Sequence, residues 1–141
     1  MESEKIKFQF WFEPVYTLKP PYVEIYIDND MKFSGTIEKN NPYVEFYSNL
    51  IFSNHQIKLS KTSDDDVSLI INKLKIDDID VRNIIWHKSV FKPNYNKDYS
   101  NENPNLEKEI KGELFFGHNG DWIFDFESPF YKFIVDHIRG N

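Results

Sequence analysis

Apolar and polar residues alternate along most of this chain, and this period of two restricts its fold more than any other feature. The first segment sets the pattern, because Ile6, Phe8 and Phe10 alternate with charged or polar residues. Side chains of a β-strand point to opposite faces in turn, so such a segment forms a strand with one apolar face. The alternation therefore indicates a protein built mainly from half-buried strands.

Short turn-forming sequences separate the alternating segments. The turns at 28–30, 39–42 and 63–66 are rich in Asp, Asn, Ser and Pro, and the first of them predicts a hairpin. Strands that recur every ten residues or so with short turns are typical of an antiparallel sandwich. At 141 residues the chain suits a single domain, residues 1–141. We predict an all-β, two-sheet, antiparallel, jelly-roll-like sandwich.

The last third of the chain predicts three further features. The Asn-Gly pair at 119–120 favours a hairpin between strands at 112–116 and 121–126. Ser128 suits a helix N-cap, and the apolar residues after it recur at helical spacing, which predicts a short C-terminal helix. A long loop is expected at about 92–111. The segment 77–86 fits either a turn with a short strand or a helical turn.

The inward faces of the predicted strands define a core. The residues expected to be mostly buried are Phe8, Phe10, Ile25, Phe33, Phe46, Ile57, Leu59, Trp122, Phe124 and Phe126.

A six-residue motif occurs twice, at 21–26 and again at 42–47, with the pattern Pro-Tyr-Val-Glu-apolar-Tyr. Its apolar residues face the predicted core, so its tyrosines and glutamates face the other way. Aromatic rings beside carboxylates can stack on a sugar or anchor a protein partner. The predicted ligand-binding residues on this Tyr-rich sheet face are Tyr22, Glu24, Tyr26, Tyr43, Glu45 and Tyr47.

Charge and hydropathy restrict the partners. The 17 basic and 23 acidic residues give a net charge of −6 with no basic stripe along the sequence, which disfavours nucleic acid. The sequence shows neither an apolar signal-peptide core nor a membrane-spanning stretch, so we expect no membrane partner. Oligomers are compatible with an exposed aromatic face.

Few residues suggest metal or catalytic chemistry. Three acids at a turn, Asp64, Asp65 and Asp66, offer oxygen ligands to Ca²⁺, although such clusters are more often solvated. Apart from this calcium hypothesis we expect no cofactor. Glu24 and Glu45 could be read as the paired carboxylates of a glycosidase, but nothing near them in sequence raises the pKa of one. We therefore expect no enzymatic activity.

Two resemblances to known families cover most of the chain. The passages Asn-Gly-Asp-Trp at 119–122 and Ser-Pro-Phe-Tyr at 128–131 resemble small uncharacterised proteins of tailed marine and cyanobacterial bacteriophages. This resemblance implies a virion protein, or a protein that acts in the cytoplasm of the infected host.

The second resemblance concerns the alternating segments at 22–28, 55–59 and 69–76. They are similar to the jelly-roll pattern of calcium-dependent, xylan-binding-like carbohydrate-binding modules. The resemblance implies a sandwich fold, a carbohydrate ligand and calcium. In this chain the segment that would carry the calcium ligands is shortened to 62–66.

These observations favour a non-catalytic, phage-encoded binding or structural module that contacts carbohydrate or a viral or host protein. Two alternatives stay open: a small enzyme with a pocket under the 92–111 loop, and a host-directed phage effector. A pocket with convergent acids and histidines beneath that loop would favour the enzyme, and an open Tyr-rich face would favour the binding module.

Overall fold

The computed structural model describes residues 2–64 and 66–140 as two antiparallel β-sheets packed face to face, with helices at their margins. Sheet A has the strand order β10-β6-β1-β4, with β7 beside β6. Its strands are β1 (Ser3–Val15), β4 (Tyr43–Ile51), β6 (Ser68–Ile76), β7 (Ile79–Asp80) and β10 (Phe115–Phe116). The predicted sandwich is thereby confirmed.

Sheet B has the strand order β3-β2-β5-β11-β8-β9. Its strands are β2 (Tyr22–Ile27), β3 (Asp30–Thr36), β5 (Asn54–Thr62), β8 (Val90–Pro93), β9 (Ile110–Lys111) and β11 (Gly120–Glu127). The helices are α1 (Arg82–Lys88), α2 (Lys97–Glu102) and α3 (Phe130–Gly140). The first predicted hairpin is confirmed, since β2 and β3 pair across a two-residue turn in which Asp28 and Asn29 both have positive φ.

The core lies between the inner faces of the sheets, as the alternation predicted. Eight of the ten expected residues are buried, and Phe33 and Phe46 are partly buried and pack against the others. Phe33 lies on β3 and Phe46 on β4, and each of these is an edge strand of its sheet. An edge strand pairs with a neighbouring strand on one side only, so part of the surface of its residues stays in contact with water.

The predicted hairpin at 112–126 is wrong. The strand β10 pairs with β6 in sheet A, whereas β11 pairs with β5 and β8 in sheet B. The turn at 117–119 therefore crosses from one sheet to the other. Phe116 of β10 stacks on Phe91 in the core at 4.7 Å between ring centroids, a contact that a hairpin with β11 would not provide.

Gly120 permits the close approach of β8 to β11 at this crossing. A Cβ atom on Gly120 would lie 2.4 Å from the carbonyl oxygen of Lys92 and 2.8 Å from Cα of Pro93. A Cβ atom does not come this close to backbone atoms, so any other residue at this position would require the backbone to move. The glycine of the Asn-Gly pair thus serves the packing of neighbouring strands rather than a hairpin turn.

The ambiguous segment 77–86 forms the short strand β7 and the beginning of α1. The expected loop at about 92–111 is more ordered than the sequence indicated, because it contains the end of β8, the helix α2 and the strand β9. Tyr95 and Tyr99 stack at 5.7 Å, and both contact the ring of His118. This aromatic cluster fixes the segment against the crossing between the two sheets.

The C-terminal helix α3 is confirmed, but its N-terminus is capped by a residue far away in sequence. Glu4 of β1 accepts a hydrogen bond from the backbone N–H of Phe130 at 2.7 Å, and the Ser128 hydroxyl donates to the same carboxylate. A carboxylate interacts favourably with the positive end of the helix dipole, so it replaces the expected Ser128 cap. Within the described part of the chain, no helix is long and apolar enough to span a membrane.

Candidate functional site

The first Tyr-Glu-Tyr triplet lies on the outer face of sheet B. Its central carboxylate accepts hydrogen bonds from both neighbouring hydroxyls, from Tyr22 at 3.0 Å and from Tyr26 at 2.7 Å. The Tyr26 bond, followed by the Tyr22 bond, lowers the pKa of Glu24, and the bond to Glu24 raises the pKa of Tyr26. The ammonium of Lys58 lies 4.8 Å from the centroid of the Tyr26 ring. The Glu24 carboxylate is therefore held in its ionised form, in which it accepts hydrogen bonds.

The second triplet lies on the outer face of sheet A. The Tyr43 hydroxyl donates to the Glu45 carboxylate and accepts a hydrogen bond of 2.8 Å from the Gln9 amide. Burial, followed by the bond to Glu45, raises the pKa of Tyr43. The Tyr43 ring packs against Trp11 at 4.9 Å, and Tyr47 is 49% exposed.

The two triplets therefore lie on opposite outer faces of the sandwich and do not form one surface. The sheets of a sandwich are separated by about 10 Å, and the glutamates point away from that space. Glu24 and Glu45 cannot flank a single glycosidic bond, because paired glycosidase carboxylates lie roughly 5 to 10 Å apart on either side of it. This geometry excludes the glycosidase interpretation of this pair.

A groove that the sequence did not predict opens at one end of sheet B, between the sheet and the helices α1 and α3. It has a volume of about 690 Å³, within the range typical of small-ligand sites. We call it the α3 groove; the lining residues that matter here are Asp28, Gln56, Lys88, Asp125, Phe133 and His137. It adjoins the first triplet, because Asp28 follows Tyr26 by two residues and Gln56 precedes Lys58 by two on the same face of β5.

Hydrogen bonds within the α3 groove fix several of these side chains. The Gln56 amide donates to Asp125 at 3.0 Å, and the backbone N–H of Gln56 donates to Asp28 at 2.8 Å. His55, which also lines the groove, has Nδ1 2.5 Å from Asp28 and Nε2 2.7 Å from the carbonyl oxygen of Ile51. Both ring nitrogens of His55 are thus engaged within the protein. The groove presents oriented carboxylates and amides, with His55 as a support.

Beneath the 92–111 segment the structure contains a smaller, polar cavity of about 320 Å³. That segment contributes Lys92 and Asn94 to its lining, together with Ser60, Lys61 and Asp121 among others. No histidine is among the lining residues, and Asp121 already accepts a hydrogen bond of 2.6 Å from Ser60. The convergence of acids and histidines that would favour the enzyme alternative is not found in this described part of the chain.

Comparisons with known proteins concern the fold. No family model matches the chain, and no curated protein does. Two solved structures are similar to this one. The first is the calcium-dependent carbohydrate-binding module vCBM60, which has a TM-score of 0.61 and 11% sequence identity; the match covers 84% of this chain and 89% of that one. The second is vCBM60 in complex with galactobiose, which has a TM-score of 0.54 and 10% sequence identity; the match covers 84% of this chain and 96% of that one. At this identity the similarity shows a shared sandwich fold. The resemblance to bacteriophage proteins stays a prediction.

The predicted calcium turn lies partly outside the described residues, so calcium binding at Asp64, Asp65 and Asp66 stays a prediction. Asp64 and Asp66 are exposed, and Asp65 lies outside the described residues. Across residues 2–64 and 66–140 no three carboxylate, histidine or cysteine side chains are placed to hold a metal ion. Instead, the buried Lys61 ammonium donates to the carbonyl oxygen of Val67 at 2.8 Å and approaches Asn119 Oδ1 at 3.4 Å. A cation of the protein itself thus occupies the oxygen-rich space beside this turn.

We expect that added Ca²⁺ leaves the thermal midpoint unchanged, both in the wild-type protein and in the Asp64→Asn and Asp66→Asn variants. A ligand at one hundred times its Kd stabilises a folded protein by about 2.7 kcal/mol, so a real site would be visible in a thermal scan. Mg²⁺ at equal ionic strength is the control. An increase in midpoint with Ca²⁺ alone that either substitution removes would show that the turn binds calcium.

Proposed function

We propose that this protein is a non-catalytic carbohydrate-binding domain whose ligand lies in the α3 groove and on the adjoining Tyr22, Glu24 and Tyr26 face of sheet B. The observation that carries the proposal is the groove itself, where carboxylates and amides converge beside aromatic rings. Sugar hydroxyls both donate and accept hydrogen bonds, which suits Asp125 and Gln56, and the C–H face of a sugar ring packs well on an aromatic ring.

The fixed hydrogen bonds favour binding over catalysis. A glycosidase needs one carboxyl group with a raised pKa to protonate the leaving group. Glu24 has the opposite character, since the hydroxyls of Tyr26 and Tyr22 lower its pKa. Preorganised acceptors of this kind cost little to order when a ligand binds, which supports affinity. The fold shared with carbohydrate-binding modules is consistent with this function.

Isothermal titration against a panel of neutral oligosaccharides that includes galactobiose tests the proposal. For the ligand that binds, Tyr26→Ala and Asp125→Ala should each lower affinity about tenfold, equivalent to about 1.4 kcal/mol, by removing an aromatic contact or an acceptor. Tyr131→Ala is the matched control, because Tyr131 is 68% exposed on α3 and does not line the groove. The Tyr131→Ala variant should bind the oligosaccharide with the affinity of the wild type.

Three results would contradict the proposal. Unchanged affinity in both the Tyr26 and the Asp125 variants would place the ligand elsewhere, and hydrolysis of a bound oligosaccharide would favour the enzyme. Light scattering that shows an oligomer, dissociated by Tyr26→Ala, would indicate that the face binds protein. The bacteriophage origin, with a virion or host-directed role, is tested separately by whether the protein is found in purified particles or only in infected-cell lysate.

A further inference from the structure

One edge of sheet A is formed by the long strand β4. It pairs with β1 without a register shift, from Ser3 opposite Ile51 to Trp11 opposite Tyr43. In the described residues no other strand pairs with β4, so its second side is open. A long and regular edge of this kind can pair with a strand of another chain.

The hydrogen bonds at the two ends of this ladder show which residues of β4 direct their backbone groups outward. The N–H of Phe12 donates to the carbonyl oxygen of Pro42 at 2.8 Å, and the N–H of Phe52 donates to that of Glu2 at 3.1 Å. Backbone groups alternate in direction along an antiparallel strand. The even-numbered residues of β4 therefore bond to β1, and the odd-numbered residues direct their N–H and C=O groups away from it.

In the middle of β4 these outward groups are unused. Within the described part of the chain, the backbone N–H and C=O groups of Glu45, Tyr47 and Asn49 have no hydrogen-bond partner. The side chains of the same three residues are exposed. The free stretch ends at Ile51, whose carbonyl oxygen lies 2.7 Å from Nε2 of His55. Unpaired backbone groups at strand spacing fit one kind of occupant, an extended strand.

The other edge strands of the described fold are short or protected. The strands β7, β9 and β10 contain two residues each. The strand β3 carries Lys32, which pairs with Asp30 at 2.9 Å, and its ladder with β2 shifts register between Ile25 and Tyr26. Short strands, lysines and bulges are features that prevent pairing between edges. By contrast, the segment 43–51 contains no lysine, proline or glycine.

From this edge we propose that β4 pairs antiparallel with β4 of a second copy of this chain, about a two-fold axis at Tyr47. In that register Tyr47 lies opposite its own equivalent, and Glu45 lies opposite Asn49 of the second copy. Two-fold symmetry repeats the second pair on the other side of the axis. Each of these three pairs exchanges two backbone hydrogen bonds, because the groups involved all point outward. The two sheets A become one continuous sheet.

The side chains of β4 are self-complementary in this register, which favours a second copy over a foreign strand. The Asn49 amide, which has no partner among the described residues, faces a Glu45 carboxylate that accepts from Tyr43 and has lone pairs for another donor. Tyr47 and Ile51, 49% and 46% exposed, face Tyr47 and Tyr43 of the second copy. Such aromatic and β-branched pairs stabilise neighbouring strands. An axis at Glu45 would instead oppose two carboxylates.

Sedimentation velocity of the full chain over a concentration series tests the proposal. The wild type should form a dimer that dissociates on dilution. Asn49→Asp places like charges opposite each other at two symmetric pairs and should raise the dissociation constant roughly tenfold. Adding Glu45→Gln to that variant removes the repulsion and should restore the wild-type value. This rescue requires residues 45 and 49 to face each other, so a dimer in another register would not show it.

Tyr47→Pro tests the backbone contact, because this N–H donates both central hydrogen bonds of the dimer but none to β1. Proline is tolerated at such an edge position, so the variant should be a monomer with the circular dichroism of the wild type. Phe115→Lys is the matched control, since Phe115 is 50% exposed on β10 at the opposite edge of sheet A, and this variant should dimerise normally.

A wild type that stays monomeric into the millimolar range would overturn the proposal. So would a dimer that persists in Tyr47→Pro, one that Phe115→Lys dissociates, or one that Glu45→Gln fails to rescue. Should the proline variant unfold, the rescue decides alone. The oligosaccharide titration of the α3 groove uses the other sheet, so either proposal can fail without the other.

Discussion

Replacing Phe124 with alanine should lower the free energy of unfolding by about 3 to 5 kcal/mol. The Phe124 side chain is fully buried in the middle of β11. Its ring lies 6.2 Å from that of Trp122, 6.3 Å from that of Phe126 and 6.2 Å from that of Phe133 on α3. The substitution removes apolar area from the core and leaves a cavity that these rings, held by β11 and α3, fill only partly.

Urea denaturation at constant pH measures the change, and Ile123→Ala is the matched control. Ile123 precedes Phe124 on the same strand but points to the outer face, where it is only partly buried. We expect the Ile123→Ala variant to lose about 1 kcal/mol of unfolding free energy, because the deleted part of this side chain is only partly buried. A larger loss in the Ile123 variant than in the Phe124 variant would mean that β11 turns its opposite face to the core.

The alternation predicted the inner faces of the strands because it reports directly on side-chain direction. The same pattern carries no information about which strands become neighbours. The Asn-Gly pair at 119–120 shows the limit, since it marks a change of direction and not the partner strand. Pairing of β10 with β6, and of β11 with β5, depends on contacts between residues 45 to 73 positions apart in sequence.

For the candidate sites, too, the sequence predicted the direction of side chains but not which strands and helices come together. Periodicity placed both Tyr-Glu-Tyr triplets away from the core, but it could not assign them to different sheets. The α3 groove combines the end of β2 with β5, β11 and two helices, and no local pattern describes such an assembly. One signal was present and missed: Lys61 shares the inward face of β5 with Ile57 and Leu59, and a lysine in that position predicts a buried cation.

The buried ammonium of Lys61 should make stability depend on pH. Lys61 is 2% exposed, and burial lowers the pKa of its amine from 10.5 to about 8. Between these values the unfolded chain keeps a proton that the folded protein has released. The unfolded state then binds more protons, so the free energy of unfolding rises with pH across this range.

The expected rise between about pH 7 and about pH 10 is roughly 2 kcal/mol, less than the full shift implies because water reaches the cavity beside the amine. The Lys61→Met variant keeps the volume of the side chain without the charge, so urea unfolding of the two proteins isolates the effect. Their difference removes the contribution of Tyr26 and Tyr43, whose raised pKa values destabilise the fold at still higher pH. Parallel curves for both proteins would show that Lys61 is solvated in solution. A rise in the wild type alone would show that the Lys61 ammonium is desolvated in the folded protein, as expected from its burial beside Val67 and Asn119.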